Sequence, residues 1–274
     1  MSMDDKENAL IFDTHAHYDD EAFDKDRESV IASLPAGGIG TAVDVASTAA
    51  SIPIVVRIAE EHEHLLAAVG VHPSECAEMS QKDMDLIEEM LKHPKVKAIG
   101  EIGLDYHWPE PERSIQKKWF SRQLDLALKT DMPVIIHSRD AAEDTYLCLR
   151  EFCRKRKDAG LSGSPGVIHC YSYSPEQARE YVKMGFYIGI GGALTFKNSK
   201  KLRTVAQETP LANIVLETDC PYMAPVPHRG ERNSSLFLPF VAEELSAIKG
   251  MDKEEIIRQT ASNARKLYRL DGSV

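Results

Sequence analysis

Short apolar runs alternate with longer amphipathic stretches along the whole chain. Several of the runs are continuous and rich in β-branched residues, which is typical of parallel strands that are buried on both faces. The eight runs span residues 10–12, 41–45, 65–71, 96–102, 134–136, 167–168, 186–190 and 214–216. The pattern therefore predicts eight strands of a largely parallel sheet.

The stretches between the runs carry the signals of helices. Residues 112–129 place apolar side chains, among them Trp119, between Arg, Lys and Gln residues. Residues 80–91 begin with a serine that is a good N-cap, and an aspartate lies in the first turn. Residues 175–184 begin with a proline directly after Ser174, which suits the N-cap position. Helices are therefore predicted between the strands.

Eight strands with helices between them indicate a (β/α)8 TIM barrel, an α/β architecture that usually needs about 250 residues. The chain has 274 residues, and residues 234–270 are helical in pattern, so we expect extra C-terminal helices that close the barrel and pack outside it. No linker or low-complexity segment interrupts the alternation, which predicts a single domain over residues 1–274. The alternative is an open doubly wound sheet, which usually has fewer strands.

Composition narrows the class of protein further. Hydrophobic residues make up 43% and charged residues 28% of the chain, which is ordinary for a globular protein and excludes disorder for most of it. No run of about 18 apolar residues occurs, so neither a transmembrane helix nor a membrane partner is expected. The acidic residues 1–7 lack the apolar segment of a secretory signal. Five cysteines without a CxxC pair argue against a disulfide framework and predict a cytoplasmic location.

Six ionisable side chains lie within or just beyond five of the predicted strands. They are His15, His17, Glu101, His137, His169 and Asp219. In a (β/α)8 barrel the carboxyl ends of the strands converge on one mouth, where active sites lie. A single buried histidine is more often a hydrogen-bonded core residue than a ligand. Burying six ionisable groups together without a cation would cost several kcal/mol each, so the set predicts a metal site.

Six ligands are too many for one open catalytic ion, which usually takes about three or four from the protein. They suit two divalent ions about 3.5–4 Å apart that share a carboxylate. Glu101 is the expected bridge, because its strand lies between the strands of the other two groups. The first ion would be completed by His15, His17 and Asp219, and the second by His137 and His169. These ligand types accept Mg, Mn or Zn, so the identity of the metal stays open.

Five motifs in order along the chain resemble those of the TatD family of metal-dependent deoxyribonucleases, within the amidohydrolase-like barrels. The motifs are His15-Ala-His17, Gly100-Glu-Ile-Gly-Leu-Asp-Tyr106, Pro133-Val-Ile-Ile-His-Ser-Arg-Asp140, His169-Cys-Tyr-Ser172 and Glu217-Thr-Asp-Cys-Pro-Tyr222. The resemblance extends to Gly70-Val-His-Pro73, Gly191-Gly-Ala-Leu-Thr-Phe-Lys197 and Arg229-Gly-Glu-Arg-Asn233. It implies a (β/α)8 fold, divalent metal, the same six ligands and hydrolysis of DNA phosphodiesters, often from an end.

The chain departs from that family beside the expected mouth. Cys220 stands where the family more often has alanine, and Tyr173 where it has glycine. Ser234 and Ser235 follow Asn233, where the family commonly has Glu-Pro. None of these positions is in the ligand set, so the departures bear on the shape of the substrate.

The resulting hypothesis is a deoxyribonuclease, specifically a 3′–5′ exonuclease acting on single-stranded ends. A hydroxide that bridges the two ions would attack a substrate phosphorus, and the ions would stabilise the charge that develops on the phosphoryl oxygens. Glu101 would set the distance between the ions. Asp219 would serve both as a ligand and as the general base.

Further residues are candidates for substrate binding. Arg139, Lys197 and Arg229 follow predicted strands, and their cationic groups suit phosphate oxygens. Tyr171 offers a ring for stacking on a base or sugar. The full set of candidates is His72, Arg139, Tyr171, Lys197, Arg229 and Asn233.

The net charge of −10 disfavours a protein that binds long nucleic acids through a broad basic face. Two divalent cations would make the mouth locally positive, where the field matters most. We therefore expect weak, salt-dependent binding of short single-stranded DNA ends. No obligate protein partner is indicated.

Two other classes of function remain open at this stage. Related barrels hydrolyse esters and amides with similar metal sites, so an esterase acting on an aminoacyl-nucleic acid is an alternative. Many of them use a carboxylated lysine where Glu101 stands, which favours the nuclease. The other alternative is a metal-stabilised scaffold, although structural metal sites are usually closed and have four ligands.

Overall fold

Eight parallel strands form one sheet in the computed structural model, which describes residues 10–270. They are β1 (Ile11–Ala16), β2 (Ile39–Val45), β3 (Leu65–Val69), β4 (Val96–Asp105), β5 (Val134–Arg139), β6 (Gly166–Ile168), β7 (Tyr187–Ile190) and β8 (Ile214–Leu216). Each strand pairs in parallel with the next one along the chain. The acidic residues 1–7, on which the expectation about a secretory signal rests, lie outside the described residues.

The two edge strands of the sheet meet where the carboxyl end of β1 contacts the residues just after β8. Ala16 forms a parallel bridge with Cys220. The backbone N–H of His17 donates to the carbonyl of Cys220 over 2.8 Å, and that of Asp219 donates to the carbonyl of His15 over 2.9 Å. These bonds close the sheet, so the predicted (β/α)8 barrel is confirmed and the open doubly wound sheet is excluded.

Within residues 10–270, nine α-helices accompany the strands. They are α1 (Arg27–Ser33), α2 (Ile52–Glu61), α3 (Gln81–Met90), α4 (Arg113–Thr130), α5 (Ala142–Asp158), α6 (Pro175–Lys183), α7 (Lys200–Glu208), α8 (Leu238–Lys249) and α9 (Lys253–Leu267). The helices predicted in detail, α3, α4 and α6, begin and end within one residue of the expected positions. Ser80 and Asp83 form a capping box on α3, and Ser174 caps α6. No helix in this part of the chain is long and apolar enough to span a bilayer.

Apolar side chains form two separate layers. The larger one joins the outside of the barrel to the helices. The smaller one, called the interior layer below, joins alternate residues of seven strands: Phe12, Val43, Leu66, Ala98, Ile135, Val167 and Val215. His137 and His169 lie two residues beyond Ile135 and Val167, so they share the inward face, one layer nearer to the carboxyl end.

The chain after β8 forms two helices that Gly250 separates. Gly250 has a φ of 63°, the left-handed conformation that ends α8 and that glycine adopts without strain. Directly after α9, Tyr268 stacks on Phe12 with ring centroids 5.8 Å apart, and its hydroxyl donates to the carbonyl of Thr14. We expected this segment to close the barrel and to pack outside it as extra helices. Both helices are present, and α9 covers the amino end, where it shields the interior layer from water.

Candidate metal centre

An open cavity of about 920 Å3 lies at the carboxyl end of the barrel. Residues from the carboxyl halves of seven strands, β1 to β6 and β8, or from the segments that follow them line it. This is the end at which (β/α)8 barrels carry their active sites. The cavity, called the mouth below, is therefore the place where the predicted ligands have to meet.

All six predicted ligands meet at the floor of the mouth. They are His15, His17, Glu101, His137, His169 and Asp219. His15 is completely buried, Glu101 and His169 are each 4% exposed, and the side chain of Asp219 is 21% exposed. The ligand atoms of His15, Glu101 and His169 lie within 4.8 Å of one another, and so do those of His15, His17 and Asp219. Residues from five distant parts of the sequence thus form one cluster, called the ligand cluster below.

Glu101 directs its two carboxylate oxygens towards different imidazoles. Oε2 lies 3.5 Å from Nε2 of His15 and 4.0 Å from Nε2 of His17. Oε1 lies 2.9 Å from Nδ1 of His137 and 3.8 Å from Nε2 of His169. The cluster thus has two halves, His15 with His17 and His137 with His169, and the carboxylate of Glu101 faces both. A ligand that bridges two cations has to be placed in this way.

Asp219 closes the cluster from the side of β8. Its Oδ1 lies 3.5 Å from Nε2 of His17, 3.6 Å from Nε2 of His169 and 3.9 Å from Nε2 of His15. The sequence placed Asp219 with His15 and His17 alone. Its proximity to His169 puts this carboxylate between the two halves, next to Glu101.

The facing nitrogen atoms indicate that the cluster fits a cation. Nε2 of His15 and Nε2 of His17 are 3.0 Å apart. The carbonyl of Val45 can only accept, so Nδ1 of His17 donates to it over 2.7 Å, which leaves a lone pair on Nε2 when the ring is neutral. Nδ1 of His15 is buried without a hydrogen-bond partner among the described residues. Imidazole and carboxylate groups that converge in this way form a donor set for Zn, Mn or Mg.

Both carboxylates of the cluster are ionised at neutral pH. Burial by itself raises the pKa of Glu101, but His15 and the other nearby imidazoles hold that pKa well below its usual range. Burial also opposes ionisation of Asp219, yet its contacts with His169 and His17 keep the pKa of Asp219 far below the ordinary value. Two anions are therefore available to hold cations.

The imidazoles respond in opposite ways to the same surroundings. Burial lowers the pKa of His15 to about 3, so this ring is neutral. Burial also works against protonation of His17 and His137, but Asp219 raises the pKa of His17 to about 9, and Asp105 with Glu101 raises that of His137 to about 9. Burial likewise opposes protonation of His169, but Glu217, Glu101 and Asp219 hold its pKa well above the ordinary value. Because a protonated imidazole cannot ligate, a cation that binds here displaces protons from these rings.

Two carboxylates that the sequence reasoning missed contact the imidazoles of predicted ligands. Nδ1 of His169 lies 3.0 Å from Oε2 of Glu217, and Nε2 of His137 lies 3.0 Å from Oδ2 of Asp105. When His169 donates from Nδ1 to Glu217, the lone pair of its Nε2 points to the cluster, which is how carboxylates commonly orient metal-bound histidines. Asp105 lies in the same motif as Glu101, and Glu217 lies two residues before Asp219. This closeness to predicted ligands is the sequence feature that could have identified them.

A third missed acid, Asp13, joins β1 to the loop after β8. Its carboxylate accepts from the backbone and hydroxyl of Thr218 over 3.0 and 2.6 Å, from the hydroxyl of Ser235 over 2.6 Å and from the N–H of His15 over 3.2 Å. Complete burial raises the pKa of Asp13 to about 6, although these bonds oppose the shift. Asp13 therefore fixes the position of Asp219 relative to His15.

His72 and Arg139, two of the predicted substrate contacts, line the mouth. Nδ1 of His72 accepts from the backbone N–H of Ser74 over 3.1 Å, so its Nε2 carries the proton. That nitrogen lies 4.0 Å from Oε1 of Glu101. Burial lowers the pKa of His72 to about 4, so the ring is a neutral hydrogen-bond donor.

The structure does not support two other predicted substrate contacts, Tyr171 and Asn233. Tyr171 is 2% exposed and its hydroxyl donates to the carbonyl of Ser174, so its ring packs in the fold and offers no free face to a base. Asn233 is completely buried, and its amide donates to the carbonyls of Thr218 and Tyr222. Its Oδ1 accepts from the backbone N–H of Ser234 over 2.9 Å, so both polar ends of the side chain are engaged within the loop after β8.

Lys197 and Arg229, the remaining predicted contacts, lie outside the lining of the mouth. Both are exposed, and the guanidinium of Arg229 lies 4.3 Å from the ring centre of Phe196. Two aromatic residues that the sequence reasoning did not propose do line the mouth. Trp108 is 57% exposed and Tyr222 is 56% exposed.

Comparison with known proteins places the chain in a family. The family described as TatD related DNase matches residues 12–269. The chain belongs to the TatD-related DNase family. This assignment confirms the resemblance that the motifs carry.

Relatives of this TatD-family chain extend over its full barrel. It is 40% identical over 262 residues to "Uncharacterized metal-dependent hydrolase YabD" of Bacillus subtilis (strain 168), covering 96% of the chain and 100% of the relative. It is 33% identical over 270 residues to "Uncharacterized metal-dependent hydrolase YcfH" of Escherichia coli (strain K12), with 96% and 97% covered. Among solved structures, the YJJV TatD homolog from Escherichia coli K12 is 31% identical with a TM-score of 0.88, covering 96% and 99% of the two chains.

Proposed function

We propose that this metal-dependent hydrolase of the TatD-related DNase family cleaves phosphodiester bonds of DNA, as a 3′–5′ exonuclease on single-stranded ends. The observation that carries the proposal is the carboxylate of Glu101, whose two oxygens face two different sets of imidazoles at the floor of an open mouth. Membership of a family described as TatD related DNase supports the choice of DNA as substrate.

Two divalent cations, when bound, would lower the pKa of the attacking water and stabilise the negative charge on the phosphoryl oxygens. Glu101 would hold the two cation positions in register, because one oxygen faces each half of the cluster. The side chain of Asp219 is 21% exposed, against 5% for Glu101. Asp219 is therefore the carboxylate that can receive a proton from water in the mouth, and we assign it the role of general base.

Two residues of the lining suit the phosphate group of the substrate. The Nε2–H of His72 is directed into the mouth and would donate to a phosphoryl oxygen. Arg139 is exposed at the end of β5 and lines the same mouth, so its guanidinium suits a second oxygen. Because the chain carries a net charge of −10, binding would be local and would weaken steeply with salt.

The test is digestion of end-labelled single- and double-stranded DNA with Mg, Mn or Zn, with and without a chelator. We expect loss of nucleotides from the 3′ end of single strands, strict dependence on metal and little action on long duplex. Lys82→Ala serves as a control because this exposed lysine of α3 lies outside the lining of the mouth. Hydrolysis of small esters, amides or aminoacyl-nucleic acids, without cleavage of DNA under any metal, would overturn the proposal.

We also propose a cytoplasmic location for the enzyme. All five cysteines lie among the described residues, and all are free thiols. Free thiols are usual in proteins of a reducing compartment. Fractionation of the native cells, followed by immunoblotting, tests this proposal, and recovery in a secreted fraction would contradict it.

A further inference from the structure

Exposed apolar side chains are concentrated at the mouth. Among residues 10–270, seven large apolar residues are exposed, and three of them, Trp108, Tyr222 and Met223, line this one cavity. Large aromatic rings are seldom left facing water without a use, and tryptophan and tyrosine are the residues most enriched where proteins bind partners. The exposure of Trp108 and Tyr222 at the mouth therefore indicates that these rings contact a bound ligand.

The loop that carries Trp108 is fixed to the ligand cluster. The backbone N–H of His107 donates to Oδ1 of Asp105 over 2.9 Å, and Oδ2 of the same carboxylate lies 3.0 Å from Nε2 of His137. The ring of His107 meets that of Trp108 edge to face, with centroids 4.8 Å apart. The exposed indole is thus positioned relative to His137, which reduces the entropy that substrate binding would otherwise cost.

Tyr222 is held on the other side of the mouth. Its hydroxyl donates to Oδ2 of Asp20 over 2.9 Å, and its carbonyl accepts from the amide of Asn233 over 2.7 Å. The ring is thereby fixed at its polar end while 56% of the residue remains exposed. Trp108 follows β4 and Tyr222 follows β8, and these strands are four positions apart in a closed sheet of eight. The two rings therefore stand on opposite sides of the cluster.

We propose that Trp108 and Tyr222 form an aromatic pair on which the two nucleobases that flank the scissile phosphodiester stack. This inference rests on the proposed function and adds where the bases of the DNA substrate bind. Phosphate would lie at the floor among His72, Arg139 and the ligand cluster, while the bases extend to either side. Stacking accepts any base, which suits an enzyme that removes successive nucleotides. A small ester or amide would be too short to contact two rings on opposite sides of the mouth.

The first experiment uses the two tryptophans of the chain. Trp119 is 4% exposed on α4, so Trp119→Phe leaves the indole of Trp108 as the only one and does not alter the mouth. We expect a phosphorothioate oligothymidylate, which resists hydrolysis, to quench the emission of Trp108 in protein loaded with Mg²⁺, because a stacked base quenches an indole. An abasic oligonucleotide of equal length and charge should leave the emission unchanged. Equal quenching by both would overturn the proposal, since the contact would then be to sugar or phosphate.

The second experiment measures affinity for the same oligothymidylate by anisotropy in the otherwise native chain. Trp108→Ala should weaken binding by about 5- to 150-fold, the range for loss of one stacked base, and Trp108→Phe should recover most of it. Tyr222→Ala should act in the same direction and Tyr222→Phe should not. Leu147→Ala is the matched control, because this residue is 42% exposed on α5 and lies outside the lining of the mouth. Unchanged affinity in Trp108→Ala would overturn the proposal.

The two proposals fail in distinguishable ways. DNA cleavage with an unchanged KM in Trp108→Ala would overturn the aromatic pair and leave the nuclease assignment standing. Saturable quenching of Trp108 by the oligothymidylate, without metal-dependent cleavage of DNA, would support the aromatic pair and overturn the nuclease assignment.

Discussion

The interior of the barrel has two ends of opposite character. At the amino end the interior layer is apolar, and Tyr268 covers it by stacking on Phe12. At the carboxyl end the buried groups are imidazoles and carboxylates, among them Glu101 at 4% exposure. Apolar burial is favourable by itself, at about 25 cal/mol per Å2. Buried ionisable groups cost free energy unless they are paired or hold a cation.

This difference indicates a division of labour within one fold. The amino end stabilises the fold without any ligand. The carboxyl end holds buried ionisable groups, whose cost in free energy has to be offset by the rest of the fold or by a bound cation. The hydrogen bonds between the strands hold the sheet together along its length. A side-chain change at one end therefore need not alter the shape of the other end. Mutations should therefore separate activity from stability according to the end they affect.

The largest effect is expected at the carboxyl end. Glu101→Gln and Asp219→Asn should abolish metal-dependent hydrolysis of single-stranded DNA, because each removes an anion that faces both halves of the ligand cluster. Both substitutions keep the shape of the side chain, so the circular dichroism spectrum and cooperative melting should persist. Near-native cleavage by either variant would show that the carboxylate has no part in the reaction.

The amino end should give the opposite result. Phe12 is 3% exposed and stacks on Tyr268, so Phe12→Ala should lower the free energy of unfolding by about 3–5 kcal/mol. Activity per folded molecule should stay close to that of the native protein, as measured below the melting transition. If Phe12→Ala were as stable as the native chain but inactive, the two ends would not be independent.

The eight strands and the six candidate ligands were predictable from the sequence for a definite physical reason. Parallel strands buried on both faces leave continuous apolar runs, and polar residues at their carboxyl ends stand out against them. His137 and His169 could be placed because each follows such a run directly. The match of predicted strands to the observed sheet confirms this reasoning for the fold.

Other features depend on contacts between distant segments, which no local pattern encodes. Asp105 meets His137 because β4 and β5 are neighbours, whereas Glu217 reaches His169 across Gly189 of the intervening strand β7. Asn233 was predicted to contact substrate, but its amide is taken up by two backbone carbonyls of its own loop. Tyr171 was predicted to stack on substrate, but it is buried against other rings. The exposure of Trp108 is likewise set by the path of a loop.

Metal binding should stabilise the protein through the carboxyl end alone, and increasingly so as pH rises. His17 and His137 have pKa values raised to about 9 without metal. Their contribution to the stability of the metal-free protein is present below about pH 6.5 and is lost as pH rises through 9. Because cations need the neutral rings, affinity should rise over the same interval.

Melting curves with and without metal between pH 6 and 9 test this expectation. At a free metal concentration of 100 times Kd, the stabilisation should be about 2.7 kcal/mol, and at constant metal the increase in Tm should grow with pH. Glu101→Gln provides the control, since it should lose most of the increase. A metal effect on Tm that is independent of pH would contradict the protonation states assigned to His17 and His137.

The smallest effect is expected at Asp13, which lies on β1 between Phe12 of the apolar end and His15 of the ligand cluster. Its carboxylate accepts from Thr218 and Ser235 and so connects the loop of Asp219 to β1. Asp13→Asn keeps the size but loses an acceptor, and we expect a loss of about 10- to 100-fold in metal affinity, as for other residues that orient ligands. Ser235→Ala, which removes a single donor, should lose less. Metal titration of both variants, compared with their melting in chelator, separates positioning from stability: if Asp13→Asn lowers only Tm, Asp13 belongs to the apolar end.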